Sequence, residues 1–147
     1  MERFDTILFA TDFSENSDHA FDYALTLASR FESRLVIIHV INEPVDLRGF
    51  YVPHISFDTL EKEIEEGAEK MMQKFCRTRI KDFTNYQTFT IAGIPYEEIL
   101  RKADEEKASL IVMGTQGRKG IDHFLFGSTA ERVVRNAGCP VMTIRLG

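Results

Sequence analysis

Leu110-Ile111-Val112-Met113-Gly114-Thr115-Gln116-Gly117-Arg118-Lys119-Gly120-Ile121-Asp122-His123-Phe124-Leu125-Phe126-Gly127-Ser128-Thr129 runs from a compact apolar stretch, through glycines, into an amphipathic segment. The order reads as strand, loop, helix. Glycines at the end of a strand let backbone approach a ligand closely, and the N–H groups that open the next helix suit an anion. Ser128 and Thr129 add hydroxyls there. Phosphate is therefore the first ligand chemistry to consider. Spacing excludes two commoner phosphate loops. No G-x-x-x-x-G-K-[ST] occurs, and the first glycines run G-x-x-G-x-x-G where a dinucleotide fingerprint needs G-x-G-x-x-G.

Upstream, the same alternation of strand and helix extends to the amino end. Thr6 to Thr11 is an apolar first strand that stops at Asp12-Phe13-Ser14. Ser14 is a cap for a helix with Glu15 and Asp18 in its first turn. Ala20, Phe21, Ala24, Leu25, Ala28 and Phe31 recur at three and four as its apolar face. Arg34 to Ile41 is a second strand, apolar enough to be covered on both faces, with His39 inside it as a hydrogen-bonded core residue. Asn42 to Phe57 is a loop longer than most connections, a lid or a contact surface. Asp58 caps a long helix whose stripe is Leu60, Ile64, Met71, Phe75 and Ile80. Tyr86 to Ile91 alternates as a third strand, and Gly93-Ile94-Pro95 opens a helix with proline near its first position. Leu110 to Met113 is the fourth strand.

Downstream, the last helix runs from Ser128 to about Ala137 and buries Ala130, Val133, Val134 and Ala137, with Gly138 as its carboxyl cap. Cys139-Pro140 leads into a fifth strand, Val141 to Arg145. Strands alternating with helices imply a parallel sheet with helices on both faces.

The chain has 147 residues, 44% hydrophobic and 28% charged, a size and composition for a single globular domain over residues 1–147. A net charge of −5 with no basic patch argues against a nucleic-acid partner. The longest apolar runs, Leu35 to Ile38 among them, are far short of the ~20 residues that span a bilayer, so no membrane segment is expected. Met1-Glu2-Arg3-Phe4-Asp5 resembles neither a signal nor a transit peptide, which leads to a cytoplasmic expectation. Cys76 and Cys139 are isolated and read as small buried hydrophobes. No cluster suits a protein-held metal.

The residues carry a family resemblance. Gly114-x-x-Gly117, nine residues, then Gly127-Ser128 resembles the nucleotide-binding signature of the universal stress protein family, in its ATP-binding branch. The likeness continues through Ala130-Glu131-Arg132-Val133-Val134 and Ala137-Gly138-Cys139-Pro140-Val141, and returns in Ile7-Leu8-Phe9-Ala10-Thr11-Asp12-Phe13-Ser14 with Ser17 and Ala20. It is weakest from Glu43 to Phe83. What it implies is a five-stranded parallel sheet in the order 3-2-1-4-5, Rossmann-like and similar to the adenine nucleotide alpha-hydrolase fold. In that order the winding reverses between strands one and four, where open α/β sheets bind ligands.

The resemblance also implies roles. Ala10, Thr11 and Asp12 end the first strand, with Asp12 accepting ribose hydroxyl protons. Val40 meets adenine through its backbone. Met113, Gly114 and Gly117 bring the loop close to ribose and phosphate, Arg118 supplies positive charge together with Lys119, and Gly127, Ser128 and Thr129 hold phosphates. The implied ligand is ATP, with AMP or ADP as alternatives, and Mg²⁺ accompanies the nucleotide. The implied assembly is a homodimer through strand 141–145. The favoured function is an ATP-binding, nucleotide-dependent regulator or stress-response factor acting on a protein partner, with no catalytic residue. Two alternatives stand beside it: a slow ATPase or adenylate-handling enzyme on the same fold, or a nucleotide-free interaction module. The S-G-G-x-D-S and H-I-G-H motifs used by enzymes on related folds do not occur.

Overall fold

The computed structural model describes residues 1–42, 57–116 and 126–146. Five strands, β1 (Thr6–Ala10), β2 (Arg34–Ile41), β3 (Tyr86–Ala92), β4 (Leu110–Gly114) and β5 (Val141–Ile144), form one parallel sheet in the order β3-β2-β1-β4-β5. Helices α1 (Glu15–Arg30), α2 (Phe57–Arg79), α3 (Pro95–Glu105) and α4 (Ser128–Asn136) alternate with them. This is the expected Rossmann-like α/β architecture, in the expected order.

Successive strand residues point to opposite faces, and both faces are covered. Ile7, Phe9, Leu35, Ile37, Leu110 and Val112 pack with α1 and α2. Leu8, Val36, Ile38 and Ile111 pack with Ile99 and Ala103 of α3 and with Ala130 and Val133 of α4. The first face is aromatic: Phe21 meets Phe9 edge-on at 5.0 Å between centroids, and Phe75 at 4.8 Å. Such pairs add about 0.5–1.5 kcal/mol each beyond their area. Every residue of β1 and β4 is buried, whereas β5 is half-buried throughout and β3 is half-buried except for exposed Gln87.

Three apolar residues sit elsewhere than the periodicity predicts. Met71 is 50% exposed, because the buried row of α2 runs through Leu60, Ala68, Met72 and Cys76 at multiples of four, with Phe75 alongside. Met71 lies one residue, about 100°, off that row. Val134 is 46% exposed for the same reason, one step past Val133. Phe31 is the carboxyl cap of α1, half exposed, its ring 5.2 Å from Phe4. Gly138 is not a left-handed cap. The helix ends on an extended Ala137 whose N–H donates to the Val133 carbonyl at 2.9 Å, and Gly138 has no positive φ. Cys76 is buried and Cys139 half-buried; neither is disulfide-bonded.

Candidate functional site

The site is framed by the connections that leave β1 and β4, the neighbours between which the winding reverses. The first is a tight turn that satisfies itself. Thr11 donates its N–H to the Ile38 carbonyl at 2.9 Å, and its own carbonyl accepts from His39 Nδ1 at 2.8 Å. Its hydroxyl accepts the Phe13 N–H at 2.9 Å and meets Ser17 Oγ at 3.0 Å. With all its polar groups engaged and its side chain buried, Thr11 fixes the turn. Asp12 Oδ1 accepts the Ser14 N–H at 3.0 Å, and Ser14 Oγ accepts the Ser17 N–H at 3.2 Å as the cap of α1.

Between Asp12 and Ser14 stands a backbone feature that the sequence did not announce. Phe13 has φ 62°, the left-handed region that a bulky residue seldom enters. The two side-chain hydrogen bonds flanking it and the packing of its ring hold it there, 4.4 Å from His39 and 6.0 Å from Phe75 between centroids. His39 is thus a hydrogen-bonded core residue, as its place in an apolar strand suggested.

The second connection is held by partners remote in sequence. Thr115 donates its N–H to the Ile144 carbonyl at 3.0 Å, and its carbonyl accepts the Gly127 N–H at 2.6 Å, which fastens the start of α4 to the end of β4. The Gln116 N–H goes to Asn16 Oδ1 at 2.8 Å, while Asn16 Nδ2 donates to the Ile144 carbonyl at 3.0 Å. Gly114 lies against that same side chain: a Cβ on it would stand 2.7 Å from Asn16 Oδ1 and 2.8 Å from Cγ. The close approach that requires glycine at 114 is therefore to Asn16, an internal partner that reasoning from the loop alone missed.

The amino end of α4 begins on a residue without a side chain. Gly127 is its N-cap at φ −72° and ψ 164°, extended backbone that any residue adopts, and among the described residues no side chain caps the helix. Ser128 is exposed and Thr129 half-buried. Ala10, Val40 and Met113 are buried among the core residues that face α3 and α4. Gly117 and Arg118 lie outside the described residues.

The two sides differ in charge. Burial pushes the Asp18 carboxyl up, opposed by Arg79 at 3.1 Å, while Asp12, Asp22 and Glu15 add to the rise. The α1 side is thus an acidic field. The α4 side presents a helix start, equivalent to roughly half a positive charge. Among the described residues no group of three or more metal-ligating side chains gathers.

A parallel sheet wound outward from its middle, with two connections meeting beyond the carboxyl ends of β1 and β4, defines a doubly wound α/β protein with its crevice at the reversal. The chain belongs to the universal stress protein family, whose model matches residues 3–145. It is similar to universal stress protein MJ0531 of Methanocaldococcus jannaschii, 33% identical over 141 residues that span 95% of this chain and 81% of the relative. Universal stress protein YxiE of Bacillus subtilis is 32% identical over 147 residues, 97% of this chain and 99% of the relative. The solved structure of MJ0577 from M. jannaschii superposes with a TM-score of 0.85 at 24% identity, covering 99% of both chains. Two solved universal stress proteins with the same fold are complexes. One, with cAMP, has a TM-score of 0.63 at 22% identity over 98% of each chain. The other, from Archaeoglobus fulgidus with dAMP, has a TM-score of 0.58 at 20% identity over 97% of this chain and 99% of that one.

Proposed function

We propose that this protein binds an adenine nucleotide, ATP foremost, and acts as a nucleotide-dependent stress-response regulator. The observation that carries the reading is the polarity of the crevice: an acidic turn with Asp12 after β1, and after β4 a helix start on Gly127 with no side-chain cap among the described residues. A ribose offers hydroxyl donors to the first, and a phosphate offers charge to the second. The family's complexes with cAMP and dAMP support it, since both ligands join adenosine chemistry to a phosphate.

In this reading Asp12 takes the ribose hydroxyls and Thr11 holds Asp12 in place. Ala10, Val40 and Met113 wall the adenine end, with the Val40 backbone facing the base. The N–H and hydroxyl groups of Ser128 and Thr129 hold phosphate, and Gly127 keeps their approach clear. Gly114 acts through Asn16. Gly117 and Arg118 keep the roles that the resemblance implies. Mg²⁺ comes with the nucleotide, held by phosphate oxygens and water. The half-buried β5 pairs with its two-fold mate in a homodimer, which removes an edge that would otherwise offer unpaired backbone.

The protein has no tryptophan, so calorimetry with ATP and Mg²⁺ is the direct experiment, together with a mass spectrum of any ligand retained on purification. Saturable one-site binding or retained adenine nucleotide is expected; neither in the intact protein overturns the reading. Single-turnover hydrolysis of radiolabelled ATP separates regulator from enzyme. Turnover near the ~10 s⁻¹ typical of enzymes would make the protein an ATPase. Light scattering at micromolar concentration should give a dimer, and a monomer counts against the β5 pairing.

A further inference from the structure

Asn16 is buried in the first turn of α1, yet both ends of its amide serve other parts of the chain. Oδ1 accepts from Gln116, the last described residue before the glycine-rich stretch; Nδ2 donates to the carbonyl of Ile144, the last residue of β5. Those partners lie 100 and 128 residues away in sequence. Ile144 also accepts the Thr115 N–H, and the Thr115 carbonyl accepts from Gly127. One hydrogen-bonded chain therefore runs from the start of α4, through the end of β4 and Asn16, to the end of β5.

We infer that Asn16 is a positioning residue that couples Gln116, at the start of the glycine-rich stretch, to the end of β5, so that a nucleotide which steadies Gln116 also seats the β5 edge. The amide is suited to this because it carries an acceptor and a donor on one short, planar group. Aspartate at 16 keeps the acceptor and loses the donor, and alanine loses both. The missing Cβ of Gly114 lets the amide reach the two strands at once. Whatever holds the Gln116 N–H on Oδ1 keeps Nδ2 aimed at Ile144, and linkage makes the effect reciprocal: a seated β5 favours the loop geometry by the same factor. The nucleotide half of the inference rests on the functional reading above; the coupling itself does not.

Residue-resolved amide exchange by NMR on the full chain tests both halves. Without ligand, Asn16→Ala should speed exchange of the Gln116 and Thr115 amides together by roughly tenfold, the loss of about one net hydrogen bond. The Ile111 amide, which donates to Pro140 at the other end of β5, should keep its rate as a control for general loosening. Asn16→Asp should split the pair at neutral pH, with Gln116 still protected and Thr115 fast. Acceleration of neither amide in the alanine variant, or of both equally in the aspartate variant, overturns the coupling. With saturating ATP and Mg²⁺ the parent should gain protection at Gln116 and Thr115 together. Gain at Gln116 alone overturns the coupling and leaves nucleotide binding standing. If ATP changes no amide, nucleotide binding falls and the ligand-free comparison alone decides Asn16.

Discussion

The helices on either side of the winding reversal begin in opposite ways. α1 is closed by its own sequence: Ser14 caps it, Asp12 turns back on Ser14, and Thr11 braces the turn through Ser17. α4 begins on Gly127, with no side-chain cap among the described residues, and a backbone bond to Thr115 ties its start to the end of β4. A helix start completed internally has little left to offer an anion, whereas one left open keeps its first N–H groups for a ligand. On the proposed reading, the contrast separates the connection that shapes the site from the one that would receive charge.

The largest effect should come where the two connections touch. Gly114→Val pushes a side chain into Asn16 and should destabilise the fold by about 1–3 kcal/mol, the usual range for overpacking. Urea unfolding would show it, and an unchanged midpoint would dissolve the contact between the two halves. Next is Gly127→Asp, which gives α4 the cap that α1 already has. Stability should rise by a few tenths of a kcal/mol, while affinity for ATP, read by calorimetry, should fall by at least tenfold, or about 1.4 kcal/mol. Unchanged affinity would mean that the open start is not the phosphate end. Ser14→Ala removes the cap of the closed helix and should cost about 1 kcal/mol, measured by thermal unfolding, with ATP affinity of the folded protein within twofold of the parent.

The smallest effect concerns Asp18, which belongs to the closed start. Its folded pKa is raised, chiefly by burial, so between the ordinary aspartate range and that raised value the native state holds a proton that the unfolded state has released. Stability contributed by this group therefore falls as pH rises through that window. Asp18→Asn should flatten this part of the stability curve, measured as urea midpoints from pH 4 to 7. A parallel, merely displaced curve would assign the slope to other groups.

The fold was legible because β1, β2 and β4 read as continuous apolar runs, which only a doubly covered parallel strand needs. The turn after β1 was legible too: Asp12 and Ser14 are turn and cap residues whose partners lie within a few positions. Asn16 was not, because its partners are remote in sequence and a polar residue in a first helical turn looks ordinary. Gly114 was noticed for its missing side chain, but its contact with Asn16 was not foreseen. Its missing side chain makes room for Asn16. Met71 and Val134 were misplaced for a simpler reason: a periodic stripe drawn one residue off its true row points outward. The left-handed Phe13 had no signal, since phenylalanine is among the residues least expected there.

The strand order also sets a timetable for synthesis. β1 is made first but sits mid-sheet, and one of its flanks waits for β4, where Leu8 pairs with Ile111 roughly a hundred residues later. At about 5–20 residues per second that wait lasts on the order of 5–20 s, during which β1 can join β2 and β3 but has no neighbour on its other side. Ile7, Leu8 and Phe9, all fully buried at the end, thus line an unpaired edge while the ribosome is still working. A nascent chain stalled before Leu110 should be captured by holdase chaperones, and release of the complete chain should end that capture.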